Sequence, residues 1–152
     1  MPTYVCSVAE NSVNDDQKAA IAGAITRIHH ESTGAPPFFV QVIFDEKKPA
    51  DRFLGGSRRT RHVWVRADIR EGRTEAQRSA LMTGIMKEIA AITHVKENDV
   101  WVYLNNLAPT DMVEYGHVLP APGKEAEWFK SLPSSLQTYL IGLGTTEDNF
   151  KL

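Results

Sequence analysis

Residues 2–8, Pro-Thr-Tyr-Val-Cys-Ser-Val, decide the fold, because they predict a first β-strand with a proline at its head. The polar stretch 11–16 that follows is rich in residues that form turns and helix caps. If Met1 is removed, Pro2 becomes a secondary amine at the end of this strand. An α-amino group titrates at about 7.7–8.0, so its surroundings decide whether it is a base or an acid at neutral pH. Proline also occurs at this position by chance, so Pro2 alone assigns no function.

Beyond this strand, the pattern predicts an amphipathic helix from Asp15 to about Thr33. Asn14 and Gln17 have the spacing of a capping box, and residues 34–37 (Gly-Ala-Pro-Pro) end the pattern. The apolar residues that recur at helical spacing are Ile21, Ala24, Ile25 and Ile28. Residues 38–44 are almost continuously apolar, which predicts a strand buried on both faces of a largely parallel sheet.

The same pattern returns after a polar loop, 45–61. Residues 63–69 predict a strand, Thr74 and Gln77 a second capping box, a helix follows to about Thr93, and 100–104 predict another strand. The two βαβ units align without a gap at an offset of 60 residues, which indicates a duplication. We therefore expect an α/β (α+β) fold, a four-stranded, mostly parallel sheet with two helices on one face. The uncovered face predicts an oligomer.

The length of 152 residues predicts one domain, 1–152. It comprises a first βαβ unit (about 3–45), a second (about 63–105) and a C-terminal wrapping tail (106–152). The tail contains helical candidates at 125–130 and 135–143, and its last few residues are expected to fray.

The composition argues against several partners. A net charge of −2 and a pI near 6.2 give no sign of nucleic-acid binding. No apolar run approaches the roughly 18 residues of a membrane helix, and residues 1–20 lack the pattern of a secretion signal. Cys6 is the only cysteine, and the histidines lack the spacing of a zinc site, so we expect no metal. These features predict a cytoplasmic protein.

Several residues have side chains suited to catalysis or binding. Arg70 and Arg73, in Arg-Glu-Gly-Arg before the second helix, suit a small carboxylate better than a nucleotide, because no glycine-rich phosphate loop accompanies them. Two solvated loop arginines are the alternative. Tyr103 and Glu114 could orient and deprotonate a water, or be a sheet aromatic and a surface charge. His29, late in the first helix, is more often a structural residue than a catalyst.

Taken together, these residues resemble the tautomerase superfamily, specifically its cis-3-chloroacrylic acid dehalogenase family. The resemblance rests on the Pro2 strand, the duplicated βαβ units and the arginine motif, and it covers almost the whole chain. It includes Tyr103 in Trp-Val-Tyr and Glu114 in Met-Val-Glu-Tyr-Gly. It also includes Phe-Leu-Gly-Gly at 53–56 and, in the tail, Pro-Gly at 122–123 with Glu-Trp-Phe at 127–129.

The resemblance implies a mechanism for converting a cis-3-haloacrylate into malonate semialdehyde. His29, Arg70 and Arg73 would hold the substrate carboxylate, and Tyr103 with Glu114 would activate water. Protonated Pro2 would be the general acid. A homotrimer without a cofactor is implied as well.

Other functions remain compatible with the sequence. A keto–enol tautomerase of a 2-oxo acid such as phenylpyruvate would use neutral Pro2 as a base and would not need Glu114. Decarboxylation of malonate semialdehyde is a related reaction. A non-catalytic trimeric binding protein on the same scaffold is the alternative from another class.

Overall fold

The computed structural model describes residues 2–143, and both halves of this range have the predicted order of strands and helices. In chain order the elements are β1 (Thr3–Ala9), α1 (Asp15–Thr33), β2 (Gln41–Lys47), β3 (Phe53–Leu54), β4 (Ser57–Arg58), β5 (Val63–Arg70), α2 (Glu75–Thr93), β6 (Val100–Leu107), β7 (Val113–Glu114), β8 (His117–Val118), α3 (Glu125–Ser131) and α4 (Ser134–Ile141). The predicted fraying of the last residues and the question of Met1 lie outside the described residues. Within 2–143, no helix is long and apolar enough to cross a membrane.

The main sheet has the strand order β2-β1-β5-β6. β1 and β2 are parallel, as are β5 and β6, because each pair belongs to one βαβ unit. The two units meet through β1 and β5, which are antiparallel. The prediction of a four-stranded, mostly parallel sheet is therefore confirmed.

The duplication extends further than the sequence pattern indicated. Both capping boxes form, and α1 and α2 are 19 residues each, offset by 60 positions. A 3₁₀ turn and a hairpin follow β2, at 49–51 and 53–58, and the same pair follows β6, at 109–111 and 113–118. The first of these hairpins lies in the stretch that was predicted to be a polar loop.

Both long helices cover one face of the sheet and form the main core with it. The fully buried residues of this core include Tyr4, Ile21, Ile25, Val65, Leu81, Ile85 and Ile89. The opposite face exposes Ile43, Trp101 and Tyr103. The prediction of one covered and one uncovered face is confirmed for this chain.

The prediction that 38–44 form a strand buried on both faces is wrong. Residues 37–39 form a 3₁₀ turn, and β2 begins only at Gln41, at the edge of the sheet, where its residues are exposed or half-buried. Pro36 and Pro37 favour the turn, since proline fixes φ and lacks the N–H that a ladder needs. Phe38 and Phe39 instead pack into a second apolar cluster, built largely by the tail, with Leu119, Phe129, Leu132 and Leu140.

Candidate active site at the Pro2 end of the sheet

Pro2 lies where three elements of the fold meet. It is buried, and its carbonyl oxygen accepts a hydrogen bond of 2.9 Å from the backbone N–H of Gln41. Thr3 pairs with Asp68 across the antiparallel ladder, so Pro2 lies level with Ile69, one residue before Arg70. The strand's first residue and the arginine motif thus lie at the same end of the sheet. We call the group Pro2, Tyr4, His29, Arg70 and Arg73 the Pro2-end cluster.

His29 is a neutral hydrogen-bonding group at this end. Its ring is 2% exposed, and Nδ1 lies 2.7 Å from the hydroxyl of Tyr4, which points from the helix-covered face of β1. Burial, with the positive charges of Arg73 and Arg70, lowers the pKa of His29 to about 3. Burial has the opposite effect on Tyr4, whose charged form is the anion, and raises its pKa above the ordinary value. When the Tyr4 hydroxyl donates to Nδ1, Nε2 carries the imidazole proton and can donate it to a ligand.

Arg70 is held firmly by the C-terminal tail. Its side chain is 1% exposed, it donates to the carbonyl oxygen of Pro120 at 2.7 Å, and it forms an ion pair with Glu125 at the start of α3. Burial raises the pKa of Glu125, but the hydrogen bond from Arg70, a backbone hydrogen bond and the charges of Arg70 and Arg73 together hold it below its usual value. The Nε of Arg70 is buried without a hydrogen-bond partner among the described residues.

The side chain of Arg73 is less constrained by hydrogen bonds than that of Arg70. Burial and the neighbouring Arg70 lower the pKa of its guanidinium, although the group stays protonated in the physiological range. Its Nε is buried and has no hydrogen-bond partner within 2–143. Gly72 before it has φ +97°, and a Cβ there would lie 2.7 Å from Cγ of Pro122, so only glycine fits at position 72. A buried, unpaired donor on a cation is suited to an anionic ligand.

Within one chain, Tyr103 does not lie in the Pro2-end cluster. It is 54% exposed on the uncovered face of the sheet, where its ring meets Trp64 edge-on at 6.0 Å between centroids. Arg70 pairs with Leu107, four residues beyond Tyr103 on β6, which is about 13 Å at the rise of a β-strand. Glu114 lies half-buried in β7, opposite His117 in the hairpin.

Sequence reasoning missed two residues of the site. Tyr4 shares a strand face with Pro2, since the side-chain period of a strand is two, and that spacing was available in the sequence. Glu125 lies 55 positions after Arg70, and no local pattern connects them. Only the folded tail brings this carboxylate to the arginine.

Comparisons with known proteins agree with this architecture. Residues 1–131 match the Tautomerase_3 family, described as "Putative oxalocrotonate tautomerase enzyme". The chain is 40% identical to N1, a member of the cis-3-chloroacrylic acid dehalogenase (cis-CaaD) family, over 91% of this chain and 97% of that one, with a TM-score of 0.88. It has the fold of a fused 4-OT solved as an asymmetric trimer, at 23% identity, with 76% and 94% of the two chains covered and a TM-score of 0.72. A search of curated proteins found no significant match.

Proposed function

We propose that this chain, which belongs to the tautomerase superfamily and within it to the cis-3-chloroacrylic acid dehalogenase family, hydrates a small unsaturated three-carbon acid without a cofactor. With a cis-3-haloacrylate the product would be malonate semialdehyde. The observation that carries the proposal is the buried Pro2-end cluster, where unpaired donors of Arg70 and Arg73 lie at the head of β1.

The charge of the site suits one carboxylate. Arg70, Arg73 and, in this proposal, protonated Pro2 are positive. Glu125 and the proposed base Glu114 are negative and His29 is neutral, which leaves one net positive charge for a monocarboxylate substrate. In this proposal Arg73 and the Nε2 proton of His29 contact the carboxylate directly. Arg70, already bonded to Glu125 and Pro120, contributes its charge and its free Nε–H.

In the proposed reaction, the positive charge of the site acts when water adds to the substrate. Glu114, helped by Tyr103, removes a proton from water, and the resulting O–H bonds to C3 of the substrate. Electron density moves toward the carboxylate, where the fixed cations stabilise it, and protonated Pro2 delivers a proton to C2. The carbon–halogen bond of the halohydrin then breaks. Halide departs, the hydroxyl loses its proton to solvent, and the C3 carbonyl forms.

We propose a homotrimer as the functional form. Tyr103 lies too far from the Pro2-end cluster of its own chain to share a substrate of three carbons, so it would serve the site of a neighbouring copy. The exposed apolar residues of the uncovered sheet face, Ile43, Trp101 and Tyr103, provide a surface for this contact. Solved relatives of the same fold include a symmetric and an asymmetric trimer.

The first experiment mixes cis-3-chloroacrylate with protein shown by intact mass to begin at Pro2. Chloride release and the product are followed by proton NMR, with the Pro2→Ala variant alongside. We expect malonate semialdehyde from the native protein and a loss of kcat/KM of about 10²–10⁴ in the variant, the range of general acid catalysis. No chloride release from a folded trimer would exclude this substrate, and equal rates for both proteins would exclude the role of Pro2.

A keto–enol tautomerase is the second candidate, and one observation favours it. Pro2 lies beside two guanidinium groups, and like charges disfavour a protonated amine, which suits a base better than an acid. Glu114→Gln separates the two reactions. It should abolish hydration and leave phenylpyruvate tautomerisation nearly unchanged. Equal loss of both would contradict the roles assigned to Glu114 and Pro2.

A further inference from the structure

The hairpin that carries Glu114 turns through a tyrosine in an unfavourable backbone conformation. β7 and β8 are joined by Tyr115 and Gly116 alone, and both have positive φ, +53° and +79°. A two-residue turn of this kind needs positive φ at both positions, which glycine adopts freely and a bulky residue rarely does. Tyr115 is therefore a conformational outlier next to the proposed base of the reaction.

The first repeat forms the same turn without a tyrosine. β3 and β4 are joined by Gly55 and Gly56, with φ +58° and +76°, and the two hairpins are offset by 60 positions. Gly55 thus occupies the place of Tyr115, and Leu54 that of Glu114. Because glycine alone forms this turn, the strain at position 115 has to be offset by contacts of the tyrosine side chain.

The side chain of Tyr115 is anchored to a distant segment of the chain. Its ring packs half-buried against the second apolar cluster, and its hydroxyl donates to the carbonyl oxygen of Phe38 at 2.7 Å, 77 positions away. Burial, with the neighbouring Tyr139, raises the pKa of this hydroxyl, so it remains a donor at physiological pH. The strained turn is thus tied through a side chain to the 3₁₀ turn that precedes β2.

That 3₁₀ turn is itself tied to Pro2. Phe38 belongs to the turn 37–39, and Gln41, three residues after Phe38, donates its backbone N–H to the carbonyl oxygen of Pro2 at 2.9 Å. Three residues span at most about 11 Å. One short segment therefore holds both the anchor of the Glu114 hairpin and the head of β1.

We propose that Tyr115 is a positioning residue, which holds the Glu114 hairpin at the Pro2 end through its hydroxyl bond to Phe38. This inference rests on the proposed hydration, in which Glu114 removes a proton from water. A general base acts only within hydrogen-bond reach of that proton, about 2.6–3.2 Å, so a small displacement of the hairpin slows the reaction. Tyr115 itself contacts neither substrate nor water in this mechanism.

Removing the hydroxyl alone tests this role in the kinetics. In Tyr115→Phe, kcat for chloride release from cis-3-chloroacrylate should fall about tenfold to a hundredfold, while KM stays within about threefold and phenylpyruvate tautomerisation is nearly unchanged. Tyr139→Phe, which removes a hydroxyl from a tyrosine that is 57% exposed, should match the native protein in all three. An unchanged kcat in Tyr115→Phe, or an equal loss of hydration and tautomerisation, would overturn the proposal.

A second variant tests whether the turn alone is enough. A residue that is needed only for the turn could be replaced by glycine without loss, as Gly55 shows. We expect Tyr115→Gly to lose at least as much kcat for chloride release as Tyr115→Phe. Native kcat in Tyr115→Gly would show that the tyrosine side chain is not required and would refute the positioning role.

Hydrogen exchange separates this inference from the proposed function, because it needs no substrate. In the assembled protein, the amides of 113–118 should exchange about threefold to tenfold faster in Tyr115→Phe, the effect of one hydrogen bond, and at the native rate in Tyr139→Phe. An unchanged rate in Tyr115→Phe would overturn the anchor whatever the activity. Faster exchange in Tyr115→Phe, with no chloride release even by the native protein, would support the anchor and refute the proposed hydration instead.

Discussion

The two repeats of this chain have the same fold and different chemistry at equivalent ends. The strand ladders relate Pro2 to Val63 and Tyr4 to Val65, and the 60-residue offset of the long helices relates His29 to Ile89. In the same way, Arg70 corresponds to Ala9 by the ladders, and Arg73, next to the helix cap, corresponds to Val13. Positions that face the core stay aliphatic in both repeats, as in Ile25 and Ile85. The fold therefore depends on the inward face of each helix and strand, and the strand ends are free to differ.

The difference in charge is what separates the two ends. At the Pro2 end, two arginines and a neutral histidine surround the head of β1. At the equivalent end of β5, Val13 is buried among apolar residues and Glu10 is exposed. The duplicated frame thus carries the pair of arginines beside a buried histidine at the Pro2 end, where the tail also supplies Glu125 as the partner of Arg70.

The largest expected effect comes from the buried ion pair that the first repeat lacks. Arg70→Met should lower the free energy of unfolding by about 3–5 kcal/mol, because it leaves Glu125 partly buried without its partner. Glu10→Gln, at the exposed position that follows Ala9, the ladder equivalent of Arg70, should change it by less than about 0.5 kcal/mol. Denaturant unfolding measures both. The double variant Arg70→Met/Glu125→Met should recover part of the loss, and no recovery would show that the pair is not the cause.

Replacing Arg73, the arginine less constrained by hydrogen bonds, should lower activity more than stability. Arg73→Gln should lower kcat/KM for cis-3-chloroacrylate by about 10²–10³, the cost of one group that stabilises developing charge. The matched change at the equivalent position, Val13→Ala, should lower stability and leave the kcat/KM of the folded protein within about threefold. Steady-state kinetics on folded protein measures kcat/KM of both variants. Similar losses of kcat/KM in both variants would show that the two ends do not differ functionally.

His29 should make the free energy of unfolding fall at acid pH. Ile89, the corresponding residue of the second repeat, has no titrating group and cannot produce this effect. The folded pKa of His29 is depressed to about 3, from about 6.5 in the unfolded chain, so its contribution to stability is complete above pH 6.5 and is lost as the pH falls toward 3. Between pH 7.5 and 5 the free energy of unfolding should fall by about 2 kcal/mol more in the native protein than in His29→Gln. Urea unfolding at each pH measures this. Parallel curves would contradict the neutral, buried state of His29.

The smallest effect compares glycines in the two long helices. Gly23 of α1 has no atom within 4 Å of a built Cβ, so Gly23→Ala should stabilise the protein by about 0.5–1 kcal/mol through helix propensity. Gly84 of α2 would place its Cβ 3.1 Å from Cγ2 of Ile28, and this contact should offset the gain. Thermal unfolding of both variants tests the difference. An equal gain in both would show that the α1–α2 contact is not tight at Gly84.

Periodicity alone predicted most of the fold. The helix bounds of α1 and both capping boxes agree with the structure, because caps and amphipathic spacing are local properties of the sequence. The strand predicted at 38–44 is wrong because an apolar run does not specify which apolar cluster it joins. Phe38 and Phe39 are buried by the tail, and the strand that follows lies at an edge, so neighbours far along the chain decided both outcomes.

The sequence by itself determined the duplicated βαβ frame and the residue types available at the Pro2 end. Only the tertiary structure decided which of them meet. Burial makes His29 neutral, the tail pairs Arg70 with Glu125, and the antiparallel ladder sets Pro2 beside the arginine motif. The same structure leaves Tyr103 on the opposite face and places the unpaired Nε–H donors of Arg70 and Arg73 at the Pro2 end. The physical reason is that burial and electrostatic interaction depend on distance in space, which local sequence patterns do not specify.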